Sequence, residues 1–239
     1  MGCLVPDAPV VLKPHEPVAE RVLLPGDPGR ALRLATQLLD GPRMLNHHRG
    51  LWGYSGPAAD GAPLTIQSTG LGGPSAAAVV AELVALGARR LVRVGTAAGL
   101  GETRPGALVV VDAALAADGA SRALGAAGRV EADATLAGAL AAAAAAAGAP
   151  GAAAGVLRGL VASADIHDPV LAGGWARAGA VACDLATAAV LAAAQRHGAA
   201  AGALLAITRS RGELVGDDAI AALEAALGAA GLAALPAPR

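Results

Sequence analysis

The chain has 239 residues, a formal net charge of -1 and 55% hydrophobic content. That is ample core for one large α/β domain, without the basic surplus that binding to a nucleic-acid backbone usually leaves. Phe is absent and alanine abundant, so core volume has to come from Leu and Val. The opening "MGCLVPDAP" has Gly2 but no Ser or Thr at the sixth position, which does not fit myristoylation. No basic start leads into an apolar signal segment, and a cytoplasmic location is expected. "ERVLLPGDPGRALRLATQLL" (20–39) reads as a strand over 22–24, a tight turn at Pro25-Gly26-Asp27-Pro28, and a helix. The stretch 62–100 repeats the plan: strand 63–68, glycine turn 70–74, helix from about Ser75 to Leu86, strand 91–95. Further strands are expected at 107–112 and 158–165. The alanine tract "GALAAAAAAAGAP" (138–150) is too short to span a bilayer and reads as a surface helix ended by Gly148 and Pro150. A helix over 184–197 leads through Gly198 to a strand at 203–208, and a helix from about 217 to 230 closes the chain.

Strands alternating with helices argue an α/β fold: a single domain over 1–239, with a mixed, largely parallel central sheet flanked by helices. Cys3 and Cys183 make no disulfide framework in a chain this long, and Cys183 reads as a small buried apolar residue. Trp52, Tyr54 and Trp175 read as packing residues. His47 and His48 read as surface or interface residues, and His197 as a helix C-terminal residue favoured by the dipole.

In such folds ligands bind beyond the carboxyl ends of strands, where turns expose N–H groups and helix N-termini. Three turns qualify: Gly26-Asp27-Pro28-Gly29-Arg30, Gly70-Leu71-Gly72-Gly73-Pro74-Ser75 and Arg93-Val94-Gly95-Thr96. Two arginines, a hydroxyl and several N–H groups converging would make a phosphate-sized site. Neither standard nucleotide loop is present, because no Gly-Lys-Ser/Thr occurs and "GLGGPS" lacks the dinucleotide spacing.

Four stretches carry a resemblance: "VLLPGDPGRA" (22–31), "NHHRGLWGYSG" (46–56), "STGLGGPSAAAVVAEL" (68–83) and "RRLVRVGTAAG" (89–99). Over about 18–215 the chain resembles the trimer- or hexamer-forming nucleoside phosphorylases, and "NHHRGLWGYSG" is closer to their purine branch than to their uridine branch. The resemblance implies phosphorolysis of a nucleoside to free base and pentose 1-phosphate, with inorganic phosphate as co-substrate and no metal or organic cofactor. It implies a homo-oligomer, expected to be a hexamer, with no nucleic-acid or membrane partner. Phosphate would be held by Gly26, Arg30, Arg93 and Thr96, with Arg49 donated by a neighbouring subunit. The plain alternative for Arg30, Arg49 and Arg93 is surface salt bridging.

The nucleoside half departs from the family. "CDLATAA" sets Asp184, Leu185 and Ala186 where the family has Glu-Met-Glu, and the second Glu is the one that grips the ribose hydroxyls. Asp184 is either a replacement sugar ligand or a helix N-cap. "SADIHDP" keeps Ser163 and Asp165 but offers His167 where the family stacks a Phe on the base. Arg209 stands where the purine enzymes have an Asp or Asn near the base, unless a one-residue shift brings Ser210 or Thr208 there. An Arg is no proton donor near neutral pH, although the uridine branch uses an Arg as a base contact. The neighbour's N-terminal His aligns with Val11, four residues before His15. The resemblance thus names Arg93, Arg209 and Asp184 for the reacting centre, and His167, Asp184, Leu185 and Arg209 for the nucleoside. Two alternatives stand beside the phosphorylase: a phosphorylase-like binding protein impaired in catalysis, and a related hydrolase.

Overall fold

In the computed structural model, which describes residues 9–147 and 155–238, β1 (Arg21–Leu24) is four fully buried residues that stop at Pro25. Asp27 then caps α1 (Pro28–Leu38): its carboxylate accepts the Arg30 N–H at 2.7 Å, and Pro28 sits at the helix start, where its missing N–H costs nothing. β2 (Arg43–Asn46), a 3₁₀ turn (His48–Gly50), β3 (Gly53–Pro57) and β4 (Pro63–Gln67) form an antiparallel meander that returns beside β1. There follow α2 (Gly72–Ala85), β5 (Arg90–Gly99), β6 (Leu108–Ala117), α3 (Gly119–Ala123) and β7 (Arg129–Glu131). Next come α4 (Ala134–Ala147), β8 (Val156–Ala164), α5 (Pro169–Arg177) and β9 (Ala180–Asp184). The chain ends with α6 (Thr187–Arg196), β10 (Ala200–Ser210), β11 (Glu213–Leu214) and α7 (Asp217–Ala233).

The sheet is mixed and its longest pairings, β5 with β10 and β6 with β8, are parallel. It also closes on itself. β10 pairs β6, β8 pairs β9, and β9 pairs back to β5, so five strands make a ring from which β1, β4, β3 and β2 extend as an arm. Alternate residues of a strand face opposite ways, and the inward set fills the ring: Ala97, Val109, Val111, Val161, Ala182, Ala203, Leu205 and Ile207 form one buried cluster. The outward set packs under helices. Val92, Val94, Val110 and Leu204 meet Leu34 of α1, Leu136 and Leu140 of α4, and Leu227 of α7. On the other side Val22, Leu24 and Leu91 meet Val79 and Leu83 of α2 and Leu191 of α6.

Several expectations change in detail. The ring closure is invisible to strand counting, since it depends on pairing between strands distant in sequence. α2 begins at Gly72, not Ser75, because the positive φ of Gly72 (82°) turns the chain directly into the helix. The alanine tract is less superficial than expected: α4 buries Leu136, Ala137, Leu140 and Ala144, while its stop at Gly148 and Pro150 lies outside the described residues. Asp184 does not open a helix; it is the last residue of β9, and α6 starts three residues later. Tyr54 is buried and Trp175 packs on the Ala162–Cys183 cluster, but Trp52 is one of the exposed large apolar residues. His197 is the C-cap of α6, and His47 stacks on His15 with ring centroids 5.5 Å apart.

Candidate active site

The strand ends of β1, β4, β5, β9 and β10 open on one cleft of about 750 Å³. Three helices point their N-termini at it: Gly26 to Pro28 lead into α1, Gly70 to Gly72 into α2, and Asp184 to Ala186 into α6. Such ends carry unpaired N–H groups and partial positive charge, which favours an anion. The remaining wall comes from Arg93, Thr96, Ala97 and Ala98 of β5, Thr208 and Arg209 at the end of β10, and Leu214, Val215, Asp217 and Ile220 before and within α7.

Arg93 lies in the middle of β5, paired in register with Leu24 of β1 and Ala203 of β10. Its guanidinium turns onto Asp184, donating from Nε at 3.1 Å and from Nη2 at 2.9 Å. Gly95 leaves the guanidinium room there, since a Cβ would stand 3.0 Å from Arg93 Cζ and Nη2. The third nitrogen, Nη1, is buried and has no hydrogen-bond partner among the described residues. It lies against the turn before α1: a Cβ on Gly26 would be 4.0 Å from it. A buried guanidinium edge without an acceptor is costly, and an oxyanion is the ligand that would relieve it.

Asp184 is filled from within. Its carboxylate accepts Ser163 Oγ at 2.6 Å and Thr187 Oγ1 at 2.7 Å, besides the two Arg93 bonds and the Thr187 N–H. Two carboxylate oxygens offer about four lone-pair sites, so a sugar hydroxyl would have to displace one of these donors. The N-cap position of α6 is held by Ala186, yet the Asp184 carboxylate does the capping by taking the N–H of Thr187. To that capping the structure adds a clamp on Arg93. Ala186 lines the cleft and brings it no polar atom.

Arg30 also lines the cleft, and its Nε donates to Glu224 Oε1 at 2.9 Å. Neither Arg30 nor Arg93 is a surface salt bridge, since each is buried. Arg49 is different: it sits on the 3₁₀ turn with a positive φ of 58°, is exposed, and does not line the cleft of its own chain. His167 and Arg209 also line the cleft. Burial around the His167 ring lowers its pKa from the ordinary 6.5, and the Arg209 charge lowers it further against an opposing pull from Asp184. Burial and the Asp184 charge push the Cys183 thiol up, which keeps it protonated and unreactive. No described trio of His, Cys, Asp or Glu could hold a metal, and no described helix is long and apolar enough to cross a membrane.

One chain therefore brings together Gly26, Arg30, Arg93, Thr96, His167, Asp184, Leu185 and Arg209, and leaves Arg49 outside. Sequence reading missed the α7 wall with Leu214, Val215 and Ile220, and missed Glu224, Ser163 and Thr187 as partners of the arginines and of Asp184. Glu224 left one signal: it is the one acid of α7 beyond the first-turn pair Asp217 and Asp218, in an alanine-rich stretch whose apolar face should have no use for it.

A closed α/β sheet with a cleft at its strand ends places the candidate site where helix N-termini converge. The family model described as Phosphorylase superfamily matches residues 20–233, and the chain belongs to that family. Among curated relatives, a "Purine nucleoside phosphorylase DeoD-type" from an Exiguobacterium species is 44% identical over 86 residues, covering 36% of each chain. A protein of the same name from Lacticaseibacillus casei is 42% identical over 90 residues, 37% of each chain. The "Uridine phosphorylase" of Treponema pallidum is 37% identical over 106 residues, 44% of this chain and 40% of that protein. The aligned stretches thus span well under half the length of these relatives.

Proposed function

We propose that the protein is a nucleoside phosphorylase of the purine-like branch, cleaving the N-glycosidic bond with inorganic phosphate to give free base and pentose 1-phosphate. The observation that carries this is the unpartnered Nη1 of Arg93, buried beside Gly26 in the cleft that Arg30 and Thr96 also line. In the proposed reaction a phosphate oxygen attacks C1′ while the C1′–N bond breaks and its electron pair leaves with the base, which then takes a proton from water. Held in a cage of Gly26, Arg30, Arg93 and Thr96, the phosphate is both nucleophile and counter-charge to a cation-like sugar. Arg49 of a neighbouring subunit completes the cage, which makes the working unit a homo-oligomer. His167 stacks on the base and Arg209 contacts its polar edge. Relatives named for purine and for uridine substrates both support phosphorolysis, and the purine assignment rests on "NHHRGLWGYSG". No metal or organic cofactor enters this chemistry.

One observation favours a second reading, a phosphorylase-like protein that binds phosphate or a nucleoside-like ligand and turns it over poorly. Ala186 gives the sugar no acceptor, and the Asp184 oxygens are taken by Ser163, Thr187 and Arg93. Losing a charged partner to a substrate hydroxyl costs about 1.5–3 kcal/mol, more if the bond tightens in the transition state.

The test is release of free base from inosine, adenosine, guanosine, uridine and their 2′-deoxy forms, with and without phosphate. Phosphate-dependent release, fastest with a purine nucleoside, supports the first reading. Fastest release from uridine moves the assignment to the other branch, and phosphate-independent release makes the protein a hydrolase. No release, with phosphate still raising Tm, supports the binding protein.

A further inference from the structure

We infer that Glu224 is the positioning residue for Arg30, with Arg33 as its counter-charge; this rests on the phosphate site proposed above. Glu224 is buried on α7 and holds two arginines of α1 at once. Its Oε1 accepts Arg30 Nε at 2.9 Å, and its Oε2 accepts Arg33 Nε at 2.9 Å and Nη2 at 2.5 Å. Arg30 makes no other side-chain hydrogen bond among the described residues, so Glu224 grips one edge of the guanidinium and leaves the Nη pair to the cleft. Arg33 is half exposed and lies outside the cleft. Its charge offsets that of Glu224, so the carboxylate fixes the direction of Arg30 without cancelling its attraction for an anion.

The packing of α7 explains how a side chain as short as Glu reaches both arginines. Asp217 and Ile220 line the cleft, and Glu224 follows on the same helical face, with Gly228 one turn further on. A Cβ on Gly228 would overlap Leu34 Cδ2 of α1. Its absence leaves room for Leu34 between the two helices.

The experiment is isothermal titration of inorganic phosphate into the whole protein, with Tm measured alongside. Wild type binds phosphate, and Glu224→Ala weakens it roughly tenfold, the loss expected when a charged hydrogen bond no longer orients the binding group. Arg33→Met, at a half-exposed site where folding is not at stake, weakens phosphate about threefold because the full Glu224 charge then falls on Arg30. In an Arg30→Ala background, Glu224→Ala changes phosphate affinity no further, which a merely structural role would not produce. Folded Glu224→Ala or Arg33→Met protein with wild-type affinity overturns the inference, as does an equal loss in the Arg30→Ala background. Wild type that takes up no phosphate overturns the phosphate site itself.

Discussion

Arg93 and Asp184 form a buried ion pair in which two of the three guanidinium nitrogens are spent on one carboxylate and the third, Nη1, is held against the Gly26 turn without a partner. The pair joins β5 to the end of β9, and Thr187 of α6 and Ser163 of β8 lock it from two further elements. Removing one member of a buried pair strands the other, at a cost of about 3–5 kcal/mol. Asp184→Ala is therefore expected to lower the unfolding free energy by about that amount in urea titrations, and to abolish phosphate binding as Arg93 loses its aim. An unchanged urea midpoint would mean that the clamp carries no stability.

Ala186 lines the cleft at the N-terminus of α6, where a carboxylate would be supported by the helix dipole. Ala186→Glu is expected to raise turnover of ribonucleosides at least about tenfold, the equivalent of one charged hydrogen bond to a sugar hydroxyl. 2′-Deoxynucleosides, with one hydroxyl fewer to grip, should gain less. The ratio of kcat/KM for inosine to that for 2′-deoxyinosine measures it.

His167 titrates below 6.5 because burial and the Arg209 charge both disfavour the imidazolium. The ring is thus neutral at pH 7, and KM for nucleoside should rise as the pH falls through that lowered pKa and the ring charges beside Arg209. His167→Phe is expected to flatten that acidic limb at saturating phosphate, and a limb of unchanged shape would remove His167 from the base site.

Arg21 spans the arm of the sheet, donating to Asp60 and to the carbonyls of Ala62, Pro63 and Leu235. Its guanidinium holds the Asp60 carboxyl down at about 2, against an ordinary 3.8. Between those values the unfolded chain binds a proton that the native chain does not. Stability from the pair is therefore complete above pH 4 and lost as the pH falls through about 2. Asp60→Asn should lower Tm at pH 7 and leave it close to wild type at pH 2. An equal penalty at both values would deny the ion pair its role.

Much of the fold was legible in local chemistry. Asp27-Pro28 announces a capped helix start, Gly70 and Gly72 mark a turn that only positive φ can make, and the apolar runs at β1, β4, β5 and β10 bury as their composition demands. Three turns chosen because each sets Gly beside an anion-compatible donor after a strand meet in one cleft, with Arg30, Arg93 and Thr96 on its walls. What escaped depends on contacts distant in sequence. The β9–β5 pairing closes the ring over more than eighty residues, and the register Ala98 with Cys183 leaves no trace in either strand. Asp184 read as a helix residue because "CDLATAAVL" is as apolar as the helix that follows it; only the partners Arg93 and Ser163 disclose a strand end and a clamp. Glu224 escaped for the same reason, since Arg30 is 194 positions away.

The most direct measurement is ³¹P NMR of a reaction containing the protein, inosine and inorganic phosphate, with hypoxanthine quantified in the same tube. One pentose 1-phosphate resonance growing in step with each free base released is the expected result, and Arg93→Ala should remove both signals together. Free base without a new phosphoester, or neither product at any phosphate concentration, would contradict phosphorolysis at this cleft.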